Sequence, residues 1–171
     1  MCKWRSAVVT RTDIHHHDMV DSHEDIISLA GIADNPREIV RVEFYPDDES
    51  DLAQPDKYIL RTDQDDIPAW YDDARKSYVE DFLRRYIESR IVKGGARKLL
   101  VGGDWIIAGT AKLEKFYAGR IVGILDSAQV DSICGSAQVD RICGSAQVDR
   151  ICGSARVDNI YGSAKVNSIC G

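Results

Sequence analysis

Three kinds of hydrophobic pattern succeed one another along the chain. From Trp4 to Thr10 (WRSAVVT) and from Glu38 to Tyr45 (EIVRVEFY) the residues alternate as on a β-strand, whose successive side chains point to opposite faces. In the second run Ile39, Arg41, Glu43 and Tyr45 share one face, and Val40, Val42 and Phe44 the other. Pro46 closes that strand, and Lys57 to Thr62 (KYILRT) predicts an antiparallel partner across a long, charged connection. Asp13 to Asp21 is polar and reads as a loop.

Helical spacing takes over twice. Ser22, His23, Glu24 and Asp25 make a capping-box pattern ahead of Ile26, Ile27, Leu29 and Ala30, with Gly31 as the stop, which predicts a helix over 22–30. A longer helix is predicted from Pro68 to Val92, where Tyr71, Ala74, Tyr78 and Phe82, with Val79, Leu83, Tyr86 and Ile87, recur at three and four. Its charges complement the helix dipole, with Asp65 and Asp66 before its start and Arg84, Arg85, Arg90 and Lys93 toward its end. The simplest assembly packs both helices on one face of a small, mainly antiparallel sheet, an α+β domain over residues 1–95.

After Gly94-Gly95 the third pattern begins. Short apolar bursts separated by glycine fill residues 96–126, and residues 127–171 are five nonapeptides: SAQVDSICG, SAQVDRICG, SAQVDRICG, SARVDNIYG and SAKVNSICG. Ala and Val, two apart, face the same way on a strand, whereas Val and Ile, three apart, need a corner between them. Small inward residues at a fixed period suit a β-solenoid, in which every coil presents the same volume to the next. Nine residues per coil would leave almost no interior, so eighteen are expected. Residues eighteen apart then stack, with Cys134, Cys152 and Cys170 in one column and Cys143 beside Tyr161 in another. The segments GTAKLEKFY and AGRIVGIL are expected to begin the stack and join it to the domain.

Composition narrows the function classes. At 171 residues with 44% apolar and 29% charged residues, one ordinary core should dominate. No stretch approaches the roughly 20 apolar residues of a membrane helix. The N-terminus also lacks a signal peptide's long apolar core, so a cytoplasmic protein with no membrane partner is expected. Four of the five cysteines hold one repeat slot without CxxC spacing, so reduced thiols are expected, with disulfides between neighbouring rungs as the alternative.

The net charge of −6 argues against direct nucleic-acid binding. Between Tyr45 and Asp73 ten carboxylates face only Lys57 and Arg61, a local charge of −8 that leaves +2 for the rest. Asp47, Asp48, Glu49, Asp51, Asp63, Asp65, Asp66, Asp72 and Asp73 are the candidate binding residues, as carboxylates that replace phosphates in a basic groove of another protein. A solvated turn and helix start is the simpler account of the same run. The second candidate face is the outward repeat slot, Gln129, Gln138, Gln147, Arg156 and Lys165.

Metal-ligand types gather at Asp13, His15, His16, His17, Asp18 and His23, which would suit a zinc- or manganese-dependent hydrolase with His15, His17 and His23 as ligands. A hydrophilic loop explains them more simply, because adjacent histidines point apart on an extended chain and no second ligand cluster follows. No GxSxG or GxxxxGK motif is present, and the repeat lacks the Gly-Gly-x-Gly-x-Asp unit of calcium-binding β-rolls. No cofactor is expected.

In WRSAVVT, VDSHEDII, IVRVEFYP and TDQDDIPAWYDD the chain resembles a family of small uncharacterised proteins from phages and prophages. Asp63-Gln64-Asp65 with Pro68 and Trp70 is the most specific element, and most of the chain is covered. The resemblance carries no catalytic residues. It implies a small accessory protein that binds and blocks a host protein, with defence nucleases among the targets. The expectation is therefore a non-enzymatic binding protein, an inhibitor of a host defence or nucleic-acid-handling protein. The alternatives are the hydrolase and a module that self-associates through its solenoid.

Overall fold

The structure, a computed structural model, describes residues 5–170, so Trp4 and Gly171 lie outside the described residues. The chain divides between Ser89 and Arg90 into two compact units.

The first unit is built on a four-stranded antiparallel sheet. Its strands are β1 (Arg5–Val9), β2 (Ile14–His15), β3 (Val40–Pro46) and β4 (Tyr58–Thr62), in the order β2-β1-β3-β4. Helices α1 (His23–Ala30) and α2 (Asp73–Ser89) complete it. Ser22 caps α1 by accepting from the Asp25 amide, and Gly31 ends it in the left-handed conformation that glycine adopts without steric cost.

The loop expected over Asp13 to Asp21 contains β2, whose Ile14 and His15 pair with Val9 and Val8. Two residues are too few to leave an alternation in the sequence. Helix α2 starts five residues later than expected. Pro68 to Tyr71 forms a separate turn closed by the Tyr71 amide on the Pro68 carbonyl, and the Asp72 carboxylate caps the helix by accepting from the Arg75 amide at 2.8 Å. The helix also ends earlier, at Ser89.

The two helices do not share a face of the sheet. Arg5 pairs with Phe44 in register, so both side chains lie on one face, and they receive Tyr86 and Arg84 of α2 in cation-π contacts. Val8, on the other face of β1, packs with Ile26 and Ile27 of α1 and with Ile39. Every residue of β1 is therefore buried.

The second unit is a β-solenoid of about four turns, made of two five-stranded parallel sheets. One sheet holds β6 (Ala96–Leu100), β8 (Lys112–Phe116), β10 (Gln129–Ile133), β12 (Gln147–Cys152) and β14 (Lys165–Cys170). The other holds β5 (Ile91–Val92), β7 (Asp104–Ile107), β9 (Arg120–Ile124), β11 (Gln138–Ile142) and β13 (Arg156–Ile160). Alternate strands fall on alternate sheets, so two nonapeptides make one coil. Gln129 stacks on Gln147 and Gln138 on Arg156, eighteen residues apart.

The stack begins well before the repeats, and its coils lengthen along the chain. Ile91 lies over Ile106, fifteen residues on; Ala96 over Lys112, sixteen; and Lys112 over Gln129, seventeen. A bulge between Trp105 and Ile106 takes up one of the added residues. The Ala, Val and Ile slots form one continuous core: Ala128, Val130 and Ile133 of one sheet and Ala137, Val139 and Ile142 of the other are buried. Among the described residues no helix is long and apolar enough to cross a membrane.

Candidate functional site

The acidic segment is organised by the β3–β4 pair. Asp47, Asp48, Glu49, Asp51 and Asp56 belong to the connection before β4, where two short 3-10 turns (Glu49–Asp51 and Pro55–Lys57) replace a tight hairpin. Asp48 accepts from the Ser50 amide, which holds its carboxyl below the usual range, and Asp51 pairs with Lys57 at 2.8 Å. Asp63, Asp65 and Asp66 follow β4 at its other end, where the Asp63 amide bonds the Arg41 carbonyl at 2.9 Å. Asp72 and Asp73 lie at that end too, because Arg75, on the first turn of α2, donates to the carbonyl of Thr10, just past β1. The run with a charge of −8 is thus split by the five extended residues of β4, roughly 17 Å. Asp51 is half-buried, and the other eight candidate carboxylates are exposed.

The residues that carry the family resemblance do structural work. Gln64 extends the ladder by side chain: its Oε1 accepts from the Arg41 amide at 3.0 Å and its Nε2 donates to the Ile39 and Asp66 carbonyls. Trp70 donates through Nε1 to the Arg37 carbonyl at 2.9 Å. Tyr71 is buried, which pushes its phenol up to about 12.

Of the three candidate metal ligands, His15 and His17 line one cleft and His23 lies outside its lining. His23 is buried, with Nε2 donating to the Val42 carbonyl at 3.1 Å and Nδ1 at 3.5 Å from the Asp63 carboxylate. The Nδ1 of His17 accepts from the Met19 amide, and His15 lines that cleft with Ile14, Ile26 and Leu29. Between them His16 packs at a steep tilt against the rings of Phe82 and Tyr86 of α2. Among the described residues no three His, Cys, Asp or Glu side chains are grouped to hold a metal ion.

In the solenoid, the outward residues form two columns rather than one. Lys112, Gln129, Gln147 and Lys165 lie on one sheet, and Arg120, Gln138 and Arg156 on the other. The five candidate residues are all exposed. Arg120 also reaches Asp140 on the neighbouring coil through Nε at 3.0 Å and Nη2 at 2.7 Å. Cys134, Cys143, Cys152 and Cys170 are free thiols, and burial raises the pKa of Cys143. Burial of the apolar slots stops at the last coil. Ile133 and Ile142 are 0% exposed, whereas Ile160 and Ile169, in the same slots, are 48% and 75% exposed.

The sequence reading missed β4 as an edge strand. Among the described residues β4 has β3 on one side only. The Asp63–Arg41 and Asp47–Lys57 bonds fix the phase of this ladder, in which residues 57, 59, 61 and 63 bond toward β3. Leu60 and Thr62 therefore point their backbone N–H and C=O groups outward, and no hydrogen bond takes them up among the described residues. The alternation in KYILRT signals a strand but does not reveal which side stays open. Comparison of the chain with protein-family models, curated proteins and solved structures finds no match.

Proposed function

We propose that this is a non-enzymatic binding protein of phage or prophage origin, which uses the carboxylates at the two ends of β4 to engage a basic host protein, one that handles nucleic acid or serves in defence. The observation that supports this most is the exposure of eight of these nine carboxylates while His23 is buried and bound to the Val42 carbonyl. Carboxylates on a framework of sheet and caps keep their spacing, so they can meet a groove made for phosphates without a large ordering cost. The hydrolase alternative would need His23 to exchange its bond to the Val42 carbonyl for a metal. The test is affinity capture from host lysate with the wild type and with Asp47→Lys, Asp48→Lys, Glu49→Lys and Asp51→Lys combined. A nucleic-acid-binding protein retained by the wild type and absent from the variant supports the proposal. Equal retention contradicts it.

A second reading, self-association, is favoured by the exposed Ile160 and Ile169. Two copies meeting at this coil would cover both side chains and pair the open edges of β13 and β14. Sedimentation that shows a dimer in the wild type and a monomer in Ile169→Lys supports it.

A further inference from the structure

We propose that the outer edge of β4 accepts an extended segment of the partner protein as a fifth strand, with basic residues of that segment meeting the carboxylates at the strand's two ends. The inference rests on the acidic-surface proposal for the partner's charge and adds the mode of recognition. Three features of the first unit converge on it. The outward N–H and C=O groups of Leu60 and Thr62 offer two donors and two acceptors with strand spacing. Ile59 is 40% exposed and Arg61 is exposed on the face opposite Leu60, so an added strand gains an apolar neighbour as well as the ladder.

The third feature is the charge at the flanks. Sheet edges are normally protected from unwanted pairing by a charge or proline within the strand. β4 carries Arg61 but no proline, and its carboxylates stand just outside it, at Asp47 to Asp56 on one side and Asp63 to Asp66 on the other. That arrangement repels acidic segments, least at the centre, and attracts cations at the ends. The matching segment has alternating polar and apolar residues for about five positions, with Lys or Arg at both flanks, about 17 Å apart. Nucleic-acid-binding proteins carry basic arms that can supply such a segment.

The probe is a synthetic peptide with two lysines at each end of an alternating Thr-Val centre. Its control keeps the lysines but has proline at the central positions, which preserves charge and removes the ladder donors. At low salt the first peptide is expected to bind at least about tenfold more tightly than the control and to slow amide exchange at Leu60 and Thr62, with exchange at Ile59 and Arg61 little changed. Leu60→Pro, which removes an outward donor and no ladder bond, should fold and lose that preference. Equal binding of the two peptides with unchanged exchange at Leu60 and Thr62 would overturn strand addition and leave the charge reading standing. Slowed exchange with binding indifferent to salt and to Asp47→Lys would support strand addition and overturn the charge reading. Failure of both peptides to bind would overturn both. If Leu60→Pro does not fold, the exchange pattern of the wild type decides.

Discussion

At the scale of single residues, the solenoid corners show how backbone conformation dictates sequence. Gly135, Gly144, Gly153 and Gly162 hold the corners at φ between 66° and 72°. Asp126 fills the same slot one repeat earlier at φ 58°, and its carboxylate accepts from the Gly109 amide at 2.8 Å. Left-handed backbone costs an L-residue about 1–2 kcal/mol, and the carboxylate's hydrogen bond offsets about 1 kcal/mol of that. Asp126→Ala keeps the strain and loses the bond, whereas Asp126→Gly relieves the strain. The Gly variant should be the more stable by about 1 kcal/mol in chemical denaturation. Gly144→Ala should cost more than the backbone strain alone, because a Cβ there would sit 2.9 Å from the Asp126 carbonyl oxygen. Equal stability of the two Asp126 variants would contradict this account of the corner. The glycine slot was legible in the repeat. The roles of Gln64, Trp70 and His16 were not, because their partners Ile39, Arg37 and Tyr86 are distant in the chain.

At the scale of elements, periodicity located most of the strands and both helices, and tertiary contacts moved their ends. Pro68 to Asp72 has helical spacing, but Trp70 is held by the Arg37 carbonyl and Tyr71 is buried, which draws the segment into a turn. The placement of the helices on opposite faces has a signal in the sequence after all, since β1 is apolar on both sides at Ala7, Val8 and Val9. A strand covered on one face only would alternate more cleanly. In the solenoid the eighteen-residue coil follows from the volume of its interior. The shorter early coils were hidden because their corners no longer match the repeat. Val148 is 0% exposed and Gln147 points outward, so Val148→Asp should lose several kcal/mol by burying an unpaired charge. Gln147→Asp should change stability by about half a kcal/mol or less. Ile169→Asp, in an inward slot of the exposed coil, should cost far less than Ile151→Asp. Thermal or denaturant unfolding of the four variants checks the strand phase and the end of the buried core together.

At the scale of the molecule, the charge is the feature that asks for a partner. The carboxylates account for a local −8 in a chain of −6, and the ends of a single edge strand hold them apart. The charge excess was plain in the sequence. Its division into two groups was not, because that depends on the pairing of β3 with β4 and on the Asp63 amide bonding to Arg41. The most direct test is the equilibrium affinity for the captured host protein, measured at low salt and at about 1 M salt, where the screening length has fallen to about 3 Å. It is run on the wild type and on the variant with Asp47, Asp48, Glu49 and Asp51 changed to Lys, each with its melting curve. The account predicts wild-type affinity that falls steeply with salt, little binding by the variant at either salt, and a variant that still melts in one cooperative transition, somewhat below the wild type because Asp48→Lys removes the bond from the Ser50 amide and Asp51→Lys the pair with Lys57. Affinity that is independent of salt and retained by the variant would contradict it, and would move the binding face to the two solenoid columns at Gln129, Gln147 and Lys165 and at Gln138 and Arg156.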